Sequence, residues 1–169
     1  LERIEVIAGA PCALGERVVA LSDDRTTRGD WAMGYGGRHY TLCAQNYVLD
    51  RESGVGDGFR CSFATTDPDE PGRLWVSSAT SNDPAALWDP VRRARVPANR
   101  DDFGEQRALG AGPDLLLSVD IPRGTSVLSL YFVNDSNYYE PNRRYTIALN
   151  DGRGSLVAIS DVADFGGGV

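Results

Sequence analysis

The sequence predicts an all-β domain, a two-sheet antiparallel β-sandwich of the jelly-roll kind with little helix. Apolar residues alternate at strand period, and short apolar runs are separated by Gly, Pro and Asx clusters. No window longer than about ten residues sustains a capped helical stripe. At 169 residues the chain has the size of one domain, and 41% hydrophobic residues supply one core. The whole of 1–169 is therefore read as a single β domain.

The elements follow in order. Candidate early strands lie at 3–8, 17–22, 39–45, 59–64 and 73–78. Leu117, Val119 and Ile121 alternate with Ser118 and Asp120, a half-buried strand. Residues 127–133 are nearly all apolar and rich in β-branched and aromatic types, which predicts a strand covered on both faces. Tyr145, Ile147 and Leu149 alternate with Arg144, Thr146 and Ala148, and a further run spans 156–159. The Asn150-Asp151-Gly152-Arg153-Gly154 segment between them predicts a hairpin. Asp83 precedes Pro84, Ala85, Ala86 and Leu87, which reads as one capped helical turn. Two long connections remain, at 50–58 and 80–113. The second exceeds the usual loop length, so it is either functional or packed as a lid. It carries Trp88, the cluster Arg92-Arg93-Ala94-Arg95, and Asp101, Asp102 and Glu105.

Charge and composition exclude whole classes. The longest apolar stretch is far short of a bilayer span, so no membrane span is expected. Seventeen basic residues face 24 acidic ones, for a net charge of −7, which argues against nucleic acid as a partner. Every basic residue is Arg, so lysine-dependent Schiff-base and P-loop chemistry is absent. The chain begins at Leu1 and its sole Met is Met33, so a piece of a longer product is expected.

Two segments carry a resemblance. Residues Asp23-Asp24-Arg25-Thr26-Thr27-Arg28-Gly29-Asp30-Trp31, then Tyr35-Gly36 and Tyr40-Thr41-Leu42-Cys43, are similar to a T-x-G-x-W…Y-G…Y-x-L pattern. That pattern occurs in jelly-roll modules of large secreted bacterial proteins, often in polysaccharide-degrading contexts. Gly112-Pro113-Asp114-Leu115-Leu116, Leu128-Ser129-Leu130-Tyr131-Phe132 and Arg144-Tyr145-Thr146-Ile147 resemble the later strands of those modules. The wider class is the galactose-binding-like β-sandwich, and it leads one to expect a further strand or two beyond Val169. The resemblance implies a non-catalytic, extracellular module whose partner is a polysaccharide or glycan.

Several constellations bear on that expectation. Trp31, Tyr35 and Tyr40 flank a Gly-rich segment; flat aromatic faces there suit sugar rings, whereas Trp31 is better read as a core plug at the Gly29 turn. The segment Asn134-Asp135-Ser136-Asn137-Tyr138-Tyr139-Glu140-Pro141-Asn142-Arg143 gathers tyrosines, charges and amides between two strands. It reads equally as a binding rim or as an exposed hairpin stiffened by Pro141. Ligand contact is assigned to Tyr35, Tyr138, Tyr139, Asn142 and Arg143. Asp135, Asn137 and Glu140 are hard oxygen donors suited to a structural calcium, as are the pairs Asp23–Asp24 and Asp101–Asp102. None has EF-hand spacing. His39 and Cys43 lack zinc-site spacing, and His39 is simply a strand residue. Asp101, Asp102 and Glu105 are carboxylates of the type a glycosidase uses, but the chain has one histidine and no nucleophile elbow, so no enzyme is expected. The Arg92–Arg95 cluster suits a sulfated or carboxylated glycan, yet internal pairing with the acidic groups of the same connection is the expectation. In a secreted module of this kind a Cys12–Cys43 bridge is expected with Cys61 buried and free, and Cys43–Cys61 is the competing pair. Closing a loop of about 30 residues stabilises by roughly 3 kcal/mol. The alternative to glycan binding is an assembly module, in which the N-terminal strand at 1–8 and the one at 156–159 pair with a neighbouring copy through open edges.

Overall fold

The computed structural model describes residues 2–8, 18, 21–46, 49–54, 58–67, 69, 73–76, 80–101, 113–121, 126–133, 144–150, 156–163 and 168. Among the described residues it is mostly β-strand with one short helix. The order is β1 (Glu2–Ala8), a single 3-10 turn (Arg28–Asp30) running into α1 (Trp31–Gly34), β2 (Tyr40–Asn46), β3 (Leu49–Ser53), β4 (Arg60–Thr65) and β5 (Arg73–Val76). There follow β6 (Leu87–Asp89), β7 (Ala94–Val96), β8 (Ala98–Asp101), β9 (Leu115–Asp120), β10 (Arg144–Asn150) and β11 (Leu156–Ala163).

One five-stranded sheet has the order β11-β10-β1-β9-β4, and β2–β3, β5–β8 and β6–β7 form separate two-stranded pairs. The expectation of a purely antiparallel arrangement is corrected here. β1 runs parallel to both neighbours, with Ile4 opposite Ile147 on one side and Leu115 on the other. Alternation fixes which face of a strand is buried but is blind to the direction of its neighbours, so the sequence pattern carried no sign of it. The same insertion closes one of the two edges in the assembly reading, that of β1, whereas β11 stands at the outer edge of the sheet. β1 has both edges occupied, and β11 pairs with β10 in the expected antiparallel hairpin.

The core of the large sheet follows from β9. Leu115, Leu117 and Val119 are buried while Leu116, Ser118 and Asp120 between them are half-covered, the alternation the sequence predicts. Phe59, Cys61, Phe63, Leu130, Phe132, Tyr145, Ile147 and Leu149 pack on this row. Leu130 and Phe132 belong to the segment predicted as a doubly covered strand. Residues 126–133 form no strand, and Val127 is 69% exposed. Alternate residues still face the core, while the Tyr131 hydroxyl donates to the Ala85 carbonyl at 2.7 Å. Apolar composition recorded the burial of half the segment, not a hydrogen-bonded ladder. Of the predicted strand at 17–22, Val18, Leu21 and Ser22 are described and none is in a strand.

The long connection at 80–113 is neither loop nor lid over its described part. Asp83 caps a single turn, its Oδ1 accepting from the Ala85 N–H at 2.8 Å, and the chain enters β6 at once. β6 and β7 form a hairpin, and β8 returns along β5 with Ala98 opposite Val76. Residues 102–112, with Asp102 and Glu105, lie outside the described residues.

Polar ties hold these small pairs together. Ala44 in β2 has φ +55°, and the β2–β3 register shifts between Leu42 and Asn46. The Ala44 N–H is taken by Asp50 Oδ1 at 2.8 Å, while Asp50 Oδ2 accepts from Arg100 at 2.8 Å. The Arg100 guanidinium in turn lies over the Phe63 ring at 5.2 Å, joining β8 to the edge strand β4 of the large sheet. Gln45, fully buried, donates from Nε2 to the Val96 carbonyl at 3.2 Å and to the Leu87 carbonyl at 3.4 Å. That single amide binds β2 to both strands of the β6–β7 hairpin.

Gly29 is the closest approach in this region. It is buried, its N–H donates to the Pro84 carbonyl at 3.0 Å, and a Cβ would collide with the Ala86 and Pro84 carbonyls. Backbone cannot yield as a side chain does, so Gly29→Ala should destabilise by about 2 kcal/mol or more, measured by urea unfolding. Gly34→Ala is the control, because only the Thr27 methyl would meet the new Cβ, at 3.5 Å.

Candidate functional site

Asp89 closes β6 with no exposed surface. A carboxylate there must be satisfied from within. Its Oδ1 accepts from the N–H groups of Val91 at 2.8 Å and Arg92 at 3.2 Å. Its Oδ2 accepts from Arg51 Nε at 2.9 Å, with Arg92 Nε at 3.8 Å. The Asp89 carbonyl takes the Arg93 N–H at 2.8 Å. These bonds wind the β6–β7 turn tightly enough that Arg93 sits at φ +55°. A left-handed conformation costs a non-glycine residue roughly 1–2 kcal/mol.

That turn forms one wall of a groove of about 410 Å³. Trp88, Arg93 and Arg95 line it together with Thr80, Ser81 and Asn82 from the strand-like lip at the Ser81–Arg95 bridge. Its size lies within the range of small-ligand sites. Among the described residues the lining offers one indole, two hydroxyls, one amide and two guanidinium groups, and no carboxylate.

The three arginines of the cluster have separate fates. Arg95 donates to Asp30 Oδ1 at 2.7 Å and to the Ala86 carbonyl at 3.0 Å, fastening the hairpin to the 3-10 turn. Arg92 lies against Asp89. Arg93 is exposed, and its guanidinium has no partner among the described residues. Internal pairing was expected, and among the described residues Arg92 pairs with Asp89 and Arg95 with Asp30; Asp102 and Glu105 lie outside the described residues.

The residues singled out by sequence are placed as follows. Tyr35 is 44% exposed, but its hydroxyl donates to Asp24 Oδ2 at 2.7 Å. Asp24 also accepts from the backbone and hydroxyls of Thr26 and Thr27, so its carboxyl is held far below the usual range, chiefly by the Thr27 hydroxyl. The bond to Asp24 pushes the Tyr35 hydroxyl up. Asp24 is thus the closure of a turn, and Asp23 pairs with Arg25 at 3.3 Å. Trp31, read as a core plug, is half-buried at the start of α1, 6.1 Å from the Tyr35 ring. His39 stacks on Phe59 with ring centroids 5.0 Å apart. Among the described residues no three His, Cys, Asp or Glu side chains gather as a metal site. Tyr138, Tyr139, Asn142 and Arg143 lie outside the described residues, as do Asp135, Asn137, Glu140 and Cys12. Cys43 and Cys61 carry free thiols.

Trp88 was not assigned as a ligand contact, and the Arg92–Arg95 cluster was weighed for an acidic glycan but read as internally paired. Their signal was the improbable length of the connection that holds them. Comparison with protein-family models, with curated proteins and with solved structures gives no match to this chain.

Two outcomes follow from these environments. Asp89→Ala strands Arg51 and two turn N–H groups, and should cost about 3 kcal/mol or more in urea unfolding. Burial pushes the Cys43 thiol up to about 12 and the Cys61 thiol to about 11. An ordinary thiol ionises near about 8.5, so both native thiols should resist alkylation at pH 8 and react on unfolding. Raised thiol values favour the folded state below that ordinary value and lose their contribution as pH climbs from it toward 11–12. Unfolding curves from pH 8 to 11 should show the decline, and Cys43→Ala should flatten it.

Proposed function

We propose that this chain is a non-catalytic carbohydrate-binding module of a secreted multidomain protein, with the groove beside Trp88 as its ligand site. The observation that carries the reading is the groove's lining. Sugar rings present apolar C–H faces and a fringe of hydroxyls, and an indole with hydroxyl, amide and guanidinium groups around it matches both. A binding rather than a hydrolytic role is supported by the same lining, since glycoside hydrolysis works through paired carboxylates and none lines the groove among the described residues. The fold reading goes with it. We take the five-stranded sheet as one layer of a galactose-binding-like sandwich and the small pairs as the other, supported by the Arg100–Phe63 contact between them.

Affinity electrophoresis in gels containing neutral and acidic polysaccharides tests the site. At least one polysaccharide should retard the protein, and Trp88→Ala should weaken that retention about tenfold, the scale of a lost aromatic contact. Asn82→Ala, at an exposed position, should weaken it less while leaving the melting temperature unchanged. Folded protein that runs freely through every gel overturns the proposal.

A further inference from the structure

We infer that the ligand of this groove is an anionic saccharide, and that Arg93 is the residue that selects it by taking a carboxylate or sulfate group in a forked hydrogen-bonded pair. The inference rests on the carbohydrate reading above and narrows it to one chemical class.

Four observations converge on Arg93. It lines the groove beside Trp88, Asn82 and Arg95. Its guanidinium is exposed and has no partner among the described residues, whereas Arg92 and Arg95 on either side are spent on Asp89 and Asp30. Its backbone is held at φ +55°, a conformation glycine adopts freely and arginine does not, so the fold bears strain to present a side chain there. Among the described residues no carboxylate lines the groove to neutralise it, although the chain as a whole has net charge −7. A planar guanidinium matches the two oxygens of a carboxylate or sulfate geometrically, and its selectivity is lost when the fork is replaced by a point charge. Trp88 would then meet the ring that bears the acid.

The test compares polygalacturonate with its methyl ester, which share a backbone and differ in charge, beside alginate, hyaluronate, a sulfated galactan and neutral glucans. At least one acidic polysaccharide should be retained. For a uronate ligand, esterification should abolish retention, and rising salt should weaken it. Retention of the sulfated polymer alone assigns the group to sulfate, and retention of the uronates alone assigns it to carboxylate. Arg93→Gln should reduce retention tenfold or more and Arg93→Lys should restore only part of it. Arg93→Gly fits the backbone, so it should lose binding with the melting temperature kept or raised, which separates a ligand contact from a folding role. Arg38→Gln, at an exposed position outside the groove lining, removes the same charge and should leave retention unchanged. Equal retention of the ester, retention of neutral glucans alone, or indifference to Arg93→Gln overturns the anionic ligand while the carbohydrate reading stands. Free migration through all of the polysaccharides overturns both.

Discussion

The buried carboxylate of Asp89 is the constraint on which the groove region depends. Taken out of water, it is stable only with its oxygens paired, and the pairs come from separate parts of the chain. Val91 and Arg92 offer backbone N–H groups from the turn itself, while Arg51 reaches in from β3. The first two bonds set the shape of the turn that carries Arg93, and the third docks β3 against β6. Apolar burial could not do this alone. The buried cluster here is Ala44, Val96 and Ala98, which together offer little more apolar area than one large side chain. Gln45 completes the arrangement by spanning Val96 and Leu87. Polar geometry therefore decides where the groove wall stands.

The large sheet is organised differently. Its interior is a continuous apolar row on β9 with partners from β4 and β10, and non-directional packing suffices once the strands are aligned. What is demanding is the order of assembly. β1 fills the slot between β9 and β10, pairing with strands from the far end of the sequence. Two distant loop closures precede any ladder that β1 makes, so contact order is high and its placement is expected late. The β10–β11 hairpin is local and has no such requirement.

Legibility in the sequence divides along the same line. β9, β10, β11, β2, β4 and β5 were readable because alternation or a turn signal marks each one locally. β6 and β7 were not, since three-residue strands are shorter than any period can be measured over. Residues 127–133 misled for a physical reason: Leu130 and Phe132 are hydrophobic because they cover the core, which a segment can do without pairing. The parallel neighbours of β1 left no trace in any one strand. At the site, Tyr35 was read as a ligand contact, and its bond to Asp24, 11 residues back, obeys no motif. Arg92, Arg93 and Arg95 are equivalent on paper. They differ only in which carboxylate each can reach, and Asp30, which claims Arg95, is 65 residues away.

That distribution of carboxylates also explains how an acidic chain can present a basic groove. Net charge governs long-range repulsion, but at physiological salt the field of a distant charge is damped over about 8 Å. Inside the groove the relevant charges are those lining it, and there Arg95 is balanced by Asp30 while Arg93 is not. Acidic groups on the described segments packed here are already committed: Asp89 faces inward to Arg51, Asp30 pairs with Arg95, and Asp83 caps its own turn. Within the groove, a guanidinium with no partner among the described residues would hold an anionic group beside Trp88, while the net negative charge of the chain opposes looser contact elsewhere. Register along a charged polymer would then be set by Arg93 and the aromatic face beside it rather than by total charge.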